Sequence, residues 1–187
     1  VLWYQGESNR KEPELYQKLF PQMVKDWQNQ WNIGDFPFYY VQIAPNNYVD
    51  KSNSQYLREV QLKSLNLIPN SGMVVTSDIG SEVSIHPPKK MEVAERLIFM
   101  ALNKTYGMKD IDYLGPMFKS MELKENSLIL TFDNAETGLF CYDKELKDFE
   151  IAGADKVFYP AKAEIVKGRQ VSVSSPEVKI PVAVRYG

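Results

Sequence analysis

The sequence predicts a parallel α/β unit followed by an all-β unit. Apolar, strand-like runs alternate with helical patterns as far as Ile111, which is typical of a parallel sheet with crossover helices. Beyond that point the helical period disappears, and short strand-like runs are separated by Gly, Pro, Asn and Asp. We therefore expect two domains, at residues 1–112 and 113–187.

The first elements are a strand and a helical segment. Val1–Tyr4 is a short apolar run with β character. Residues 11–34 carry apolar side chains at helical spacing, and Gly34 is expected to end the segment. Pro21 lies inside this pattern and removes a backbone hydrogen bond, which predicts a kink or two abutting helices.

Two more strand and helix pairs follow. The run "FPFYYVQIAP" (36–45) is almost continuously apolar, as in a strand that is buried on both faces of a parallel sheet. A helix is expected over 54–67, a second buried strand within 72–80, and a helix over 89–107 that closes at a glycine.

The last part predicts an antiparallel β-sandwich of six strands. The strand-like runs are "SLILTF" (127–132), "GLFCY" (138–142), "FEIAG" (149–153), "KVFYPAKAEIV" (156–166), "RQVSVSS" (169–175) and "PVAVRY" (181–186).

Composition excludes several classes of function. The net charge is −2 and the basic residues are scattered, which argues against nucleic acid as a partner. No apolar run approaches the roughly 20 residues that span a bilayer. Cys141 is the only cysteine, so an internal disulfide is impossible. One histidine without clustered carboxylates gives too few metal ligands, and no cofactor is expected.

Two loops have the position and the residue types for chemistry. Ligands of open parallel sheets bind at the carboxyl ends of the strands. There, "YQGESNR" follows the first strand, and "SDIGSEVSIHPPKK" follows the third and contains His86. The two prolines after His86 fix the backbone, so this loop can present a general base rigidly. Ser8 or Asn9 could instead simply cap the next helix.

Several blocks in order resemble the sialate O-acetylesterases, which belong to the SGNH (GDSL-like) group of hydrolases. The blocks are "VLWYQGESN", "KLFPQMVKDWQNQW", "FPFYYVQIAP", "LREVQ", "PNSGMVVTSDIG", "SIHPPKK" and "FEIAGADKVFYPAKAEI". The resemblance implies the second half of a flavodoxin-like α/β/α SGNH domain, followed by an accessory β domain. It also implies a serine esterase that removes O-acetyl groups from sialic acid or related sugars outside the cell or in the periplasm.

The same resemblance assigns roles to individual residues. His86 matches the general base, and Gln5 and Gly6 match the block that faces the oxyanion hole, with Asn9 beside them. The family's nucleophile lies in an earlier Gly-Gln-Ser-Asn block that is not in this sequence. We therefore expect a C-terminal fragment that is inactive alone, needs the N-terminal half of the same protein, and self-associates or is marginally stable.

The carboxylate that orients the histidine is less obvious, because Val83 and Ser84 stand where many SGNH enzymes have an aspartate. The candidates are Glu7, Glu82 and Asp78, and the resemblance to acetylxylan-type esterases favours Glu7. Ser8 is not expected to be the nucleophile, because Arg10 occupies the place of the last glycine of a Gly-x-Ser-x-Gly elbow.

Two non-catalytic interpretations stand beside the esterase. The β part could bind carbohydrate through its aromatic residues, or it could serve only as a structural support for the α/β part. The candidate aromatic residues are Phe140, Tyr142, Phe149, Phe158 and Tyr159. The sequence leaves the sugar and the position of its acetyl group open.

Overall fold

The computed structural model describes residues 1–50, 54–142 and 145–186. The chain divides into two compact units, Val1–Tyr113 and Leu114–Gly187. Each unit has its own hydrophobic core. The chain is therefore a mixed α/β protein with an α/β first unit and a β-rich second unit.

The first unit is a parallel sheet of three strands with helices in between. In chain order, its elements are β1 (Leu2–Trp3), α1 (Pro13–Trp31), β2 (Phe38–Val41), α2 (Gln55–Ser64), β3 (Ser71–Val74) and α3 (Lys90–Lys104). The strand order is β1-β2-β3, and both pairings are parallel. The predicted alternation of strand and helix is confirmed.

Helices cover both faces of this sheet. All four residues of β2 are buried, as the apolar run predicted. Because successive side chains of a strand point to opposite faces, Phe38 and Tyr40 pack in one cluster with α1 and α2. Tyr39 and Val41 pack in a second cluster with α3. The sheet is thus the middle of three layers, and its carboxyl edge is left to loops.

Helix α1 excludes one of the two alternatives predicted around Pro21, that of two abutting helices. The structure has one helix of 19 residues with Pro21 inside it and Pro13 in its first turn. Packing of Tyr16, Phe20 and Val24 in the core holds this helix together across the missing hydrogen bond. The helix ends at Trp31, three residues before Gly34, and the next residue, Asn32, adopts a left-handed conformation (φ 52°).

The second unit contains two antiparallel sheets, with strand orders β4-β5-β9-β8 and β10-β6-β7. The strands are β4 (Met117–Lys124), β5 (Ser127–Asp133), β6 (Phe149–Ala152), β7 (Phe158–Pro160), β8 (Lys162–Lys167), β9 (Gln170–Ser174) and β10 (Ala183–Tyr186). Side chains from both sheets form one cluster, with Leu130 and Val173 from one sheet and Phe149 and Ile151 from the other.

The strands of this unit differ from the prediction in three places. The run 138–142 is not a strand, and it contains two exposed aromatic residues. Strand β4 was missed because seven of its eight residues are exposed, so it lacks an apolar pattern. The long run 156–166 forms two short strands, β7 and β8, which pair in different sheets. Cross-strand pairing, rather than hydrophobicity, decides these cases.

Candidate active site

Both loops predicted to carry chemistry lie at the same edge of the sheet. The segment Gln5–Asn9 follows β1, and the loop that contains His86 follows β3. Since the strands are parallel, their carboxyl ends meet at one edge. Strand β2 separates the loops, so they begin about 10 Å apart at the usual strand spacing.

Gly6 shapes the first loop. Its φ of 147° lies in the region that favours glycine. A Cβ atom at this position would lie 3.1 Å from Gln61 Nε2, 3.1 Å from Ile43 Cγ2 and 3.3 Å from a Leu57 methyl carbon. Both the backbone conformation and the tight packing therefore require glycine here.

Gln61 anchors this loop to the neighbouring strand and helix. Its side chain is 1% exposed. The amide Nε2 donates to the Gln5 carbonyl at 3.2 Å, and Oε1 accepts from the Ile43 amide at 2.9 Å. The Tyr16 hydroxyl donates to the same Gln5 carbonyl at 3.4 Å. The backbone of the Gln5–Gly6 turn is thus fixed by buried donors before any substrate arrives.

The polar side chains of the loop contact one another. Gln5 Nε2 donates to Asn9 Oδ1 at 2.7 Å, so these two predicted binding residues are brought together. Glu7 and Asn9 begin and end a single 3₁₀ turn, and Ser8 is exposed within it. The next helix, α1, has Glu12 at its N-cap and no side-chain cap hydrogen bond, so neither Ser8 nor Asn9 caps it.

Glu7 lies among buried phenols. Burial is the main reason that the pKa values of Tyr4, Tyr16 and Tyr48 are raised, and the Glu7 carboxylate raises each of them further. Arg10 donates to the Glu7 carbonyl at 3.0 Å, and its guanidinium lies 4.2 Å from the centre of the Tyr48 ring. The negative charge of Glu7 is therefore held close to aromatic hydroxyls.

The second loop presents His86 at the surface. Its backbone amide donates to Ser84 Oγ at 3.1 Å, and the following Pro87 is fully buried. This local anchoring agrees with a rigidly presented imidazole. Within residues 1–50, 54–142 and 145–186, the imidazole itself makes no hydrogen bond or ion pair. The structure thus places His86 on the predicted edge without joining it to a carboxylate.

Of the three candidate carboxylates, Asp78 is the one with a strong partner. Arg96 from α3 donates to Asp78 Oδ1 at 2.8 Å and to Oδ2 at 2.6 Å. These hydrogen bonds hold the pKa of Asp78 below its usual range. Arg96 also donates to the Val75 carbonyl at 2.6 Å, so the pair ties the start of the loop to α3. This geometry gives Asp78 a structural role.

A cleft opens between the loops that follow β2 and β3. Its volume is about 470 Å³. Gly80 permits the close approach of its two walls, because a Cβ there would lie 2.5 Å from the Pro45 carbonyl oxygen. Glu82 lines the cleft, whereas Glu7 and His86 do not. The lining residues are Pro45, Asn46, Asn47, Ser77, Asp78, Gly80, Ser81 and Glu82.

Sequence reasoning missed several residues that build this edge. Gln61, Arg58 and Tyr48 were not singled out, although the first two belong to the quoted block "LREVQ". The available signal was a glutamine among the apolar positions of an amphipathic helix. Such a residue is rarely buried without a polar partner.

No group of three or more His, Cys, Asp or Glu residues in the described ranges is arranged to hold a metal ion. A search of the described helices for a membrane span likewise finds none that is long and apolar enough.

Comparisons with known proteins converge on one family. Residues 1–97 match the family model described as carbohydrate esterase, sialic acid-specific acetylesterase. A sialate O-acetylesterase of Mus musculus is 35% identical over 156 residues, which cover 71% of this chain and 28% of that protein. A sialate O-acetylesterase of Pongo abelii is 30% identical and covers 100% of this chain and 40% of its own length.

A solved structure agrees with these sequence matches. The crystal structure of a carbohydrate acetylesterase from Xanthomonas citri is similar to this chain with a TM-score of 0.86 and 34% identity. The match covers 100% of this chain and 44% of that one. The chain thus spans less than half of the length of each of these relatives.

Proposed function

The chain belongs to the carbohydrate esterase family of sialic acid-specific acetylesterases, and we propose that it supplies the general base and the oxyanion side of a serine esterase. The reaction is hydrolysis of O-acetyl groups on sialic acid or related sugars. The observation that carries the proposal is the prearranged Gln5–Gly6 turn, which is anchored by Gln61 at the same sheet edge as His86.

His86 is the general base in this proposal. It takes the proton of the serine nucleophile as that oxygen attacks the ester carbonyl, and it gives this proton to the departing sugar oxygen. It then takes a proton from the water that attacks the acetyl-enzyme and returns it to the serine oxygen as acetate leaves. Glu7 is the carboxylate that stabilises the imidazolium. In the present structure no hydrogen bond joins the His86 imidazole to a carboxylate among the described residues, so this pairing requires the two loops to approach each other in the assembled protein.

Gln5, Gly6 and Asn9 form the oxyanion and substrate side. The fixed Gln5 carbonyl and the 3₁₀ turn that begins at Glu7 hold this backbone still. Donors that are prearranged around the developing oxyanion contribute about 3–4 kcal/mol each in other hydrolases. The hydrogen bond between the Gln5 and Asn9 side chains keeps both amides in the loop after β1, where they can bind a sugar hydroxyl or the acetyl carbonyl.

The nucleophile is proposed to come from a segment outside these 187 residues. Ser8 is exposed, and in the described part of the chain no hydrogen bond joins its hydroxyl to His86. The limited share of the relatives' length that this chain covers supports an N-terminal half with the serine. In this view Val1–Tyr113 is the second half of a flavodoxin-like SGNH domain and Leu114–Gly187 an accessory β-sandwich.

A fluorophosphonate probe followed by intact mass spectrometry tests the division of labour. We expect no labelling of this chain alone, and labelling on the partner when the N-terminal half of the same protein is added. Labelling of Ser8 would overturn the proposal. Acetate release from O-acetylated sialic acid by the whole protein tests the activity itself.

Substitution of each candidate carboxylate by its amide identifies the one that stabilises the His86 imidazolium. Glu7→Gln in the whole protein should lower kcat strongly, whereas Glu82→Gln and Asp78→Asn should leave most of it. A greater loss for Glu82→Gln would transfer the role to the loop after β3.

Exposed apolar surface supports a further proposal, that the isolated chain self-associates or pairs with that N-terminal half. Strand β1 is an edge of its sheet, and its Leu2 side chain is 61% exposed. Open parallel edges invite pairing with another strand. Sedimentation of the chain should reveal oligomers, and a stable monomer would count against this.

The proposed location, outside the cell or in the periplasm, is checked by fractionation.

The alternative of carbohydrate binding by the second unit is best supported by one exposed pair of side chains. Phe140 and Tyr142 are 69% and 80% exposed, and their rings meet edge to face at 4.8 Å. Phe149, by contrast, is buried in the core. Phe158 and Tyr159 are half-buried: the Arg185 guanidinium lies 4.3 Å from the centre of the Phe158 ring, and Tyr159 packs against the core. Glycan binding that is lost in Phe140→Ala but kept in His86→Ala would favour this alternative.

A further inference from the structure

Arg58 is a half-buried cation whose charge is not matched by a carboxylate. Its guanidinium donates to Ser54 Oγ at 2.7 Å, one turn earlier in α2. In the described ranges no carboxylate lies within ion-pair distance of it. Burial lowers the pKa of Arg58. Removing a guanidinium from water costs free energy unless an anion compensates for the charge. A bound anion would therefore be stabilised at Arg58.

Tyr48 provides a second unsatisfied donor beside it. This residue is 8% exposed, and its buried hydroxyl has no hydrogen-bond partner among the described residues. Burial raises the pKa of that hydroxyl, and the charges of Glu7, Arg10, Arg58 and Asp50 also act on it. Arg10 is already engaged by Asp50 at 2.8 Å. Of the two cations that act on this hydroxyl, Arg58 is therefore the one without a carboxylate partner among the described residues.

The helix that carries Arg58 connects it to the candidate active site. Gln61, which anchors the Gln5 carbonyl, is three residues further along α2. Residues three apart are neighbours on one helix face, about 5–6 Å apart at Cβ. Helix α2 follows β2, so Arg58 in its first turn is nearer than Gln61 to the carboxyl edge of the sheet.

We propose that Arg58, together with the Tyr48 hydroxyl, binds the carboxylate of an acidic sugar beside the ester site. A planar guanidinium with several donors matches a carboxylate, and a phenol can donate to the same anion. Sialic acids carry such a carboxylate, whereas the acetylated sugars of neutral polysaccharides do not. The inference rests on the proposed esterase function and names the two side chains that would recognise the carboxylate of its acidic substrate.

Binding measurements test this without depending on catalysis. The probes are free N-acetylneuraminic acid and its C1 carboxamide, titrated calorimetrically into the whole protein that contains this chain. We expect the acid to bind about ten-fold or more tightly than the amide, since a charge-assisted hydrogen bond is lost in the amide. Arg58→Gln should abolish this difference, and Tyr48→Phe should reduce it.

Two variants separate binding from folding. Ser54→Ala removes the hydrogen-bond partner of Arg58 but leaves its charge, so it should keep the preference for the acid. Arg58→Lys keeps a charge without the planar fork and should retain part of it. Melting temperatures of all variants identify any that fail to fold. Equal binding of acid and amide by the unaltered protein, or no binding of the acid, would overturn the inference.

Acetate release then distinguishes this inference from the proposed function. We expect Arg58→Gln to lower kcat/KM on O-acetylated sialic acid but not on an acetylated methyl xyloside. A protein that discriminates acid from amide yet releases no acetate would refute the esterase proposal alone. A protein that releases acetate from both sugars, with Arg58→Gln affecting them equally, would refute the carboxylate site alone.

Discussion

The loop after β1 is fixed by buried hydrogen bonds, whereas the loop after β3 is fixed at the protein surface. The Gln61 amide and the Tyr16 hydroxyl donate hydrogen bonds to the Gln5 carbonyl, and the packing around Gly6 leaves little space for a side chain. The other loop is tied to α3 by Asp78 and Arg96, whose side chains are 63% and 33% exposed. The backbone on the oxyanion side is thus held by buried side chains, while the His86 imidazole makes no hydrogen bond to the described residues.

This difference suggests a division of tasks. Donors that stabilise a developing charge contribute most when they need not reorganise, which suits a buried anchor. A base must reach two different protons in turn, and it can be aligned by the partner segment and the substrate.

Removal of the imidazole should have the largest effect. In the whole protein, His86→Ala should lower kcat/KM for acetate release by about 10²–10⁴-fold, the usual contribution of a general base. The control is Ser84→Ala, which removes the acceptor of the His86 amide at 3.1 Å and keeps the imidazole. If His86→Ala released acetate at the unaltered rate, the loop after β3 would not carry the base.

Gly6→Ala should be the most destabilising change in the first loop. Strain at φ 147° and crowding against Gln61 and Ile43 together predict a loss of about 2–4 kcal/mol in the free energy of unfolding. Gly34→Ala is the matched control, since it also has a positive φ (80°) but no atom within 4 Å of the added Cβ. Similar urea midpoints for the two variants would mean that the turn at Gly6 is not tightly packed.

Gln61→Leu should destabilise the chain by about 2 kcal/mol, because the Ile43 amide and the Gln5 carbonyl lose a buried partner. Ser64→Ala provides a control on the same helix, where a fully buried hydroxyl donates to the Val60 carbonyl at 2.8 Å. Hydrogen exchange should increase at Gly6 only in Gln61→Leu. Unchanged exchange there would contradict the anchoring role.

Much of the architecture was predictable because its signals are local. The apolar run around Phe38–Val41 predicted a strand buried on both faces, and the helical spacing predicted α2 and α3. Two abutting helices were one expectation at Pro21, but the chain forms one continuous helix there. Core packing of that helix outweighs the cost of the missing backbone hydrogen bond. Strand β4 escaped detection because it is held by pairing with β5 and not by burial of its own side chains.

The candidate site was predictable in its loops but not in its supports. Position at strand ends and the sole histidine pointed to Gln5–Asn9 and His86. Arg58 and Gln61 come from a helix more than fifty residues after Gln5 in the sequence, and their role depends on the approach of α2 to β1. Such long-range contacts leave no local pattern in the sequence. The available signal is a polar side chain among the apolar positions of a helix.

The smallest effect is expected at the ion pair that secures the second loop. Since Arg96 lowers the pKa of Asp78, its stabilisation is present above the unfolded value of about 3.9 and is lost as pH falls through the folded value. Exposure limits this contribution to less than about 1 kcal/mol. The difference in unfolding free energy between the unaltered chain and Asp78→Asn should therefore be small at neutral pH and vanish in acid. A difference that persists in acid would mean that Asp78 acts through its shape and not its charge. The Asp78–Arg96 anchor would then be independent of pH, like the hydrogen bonds of Gln61 in the first loop.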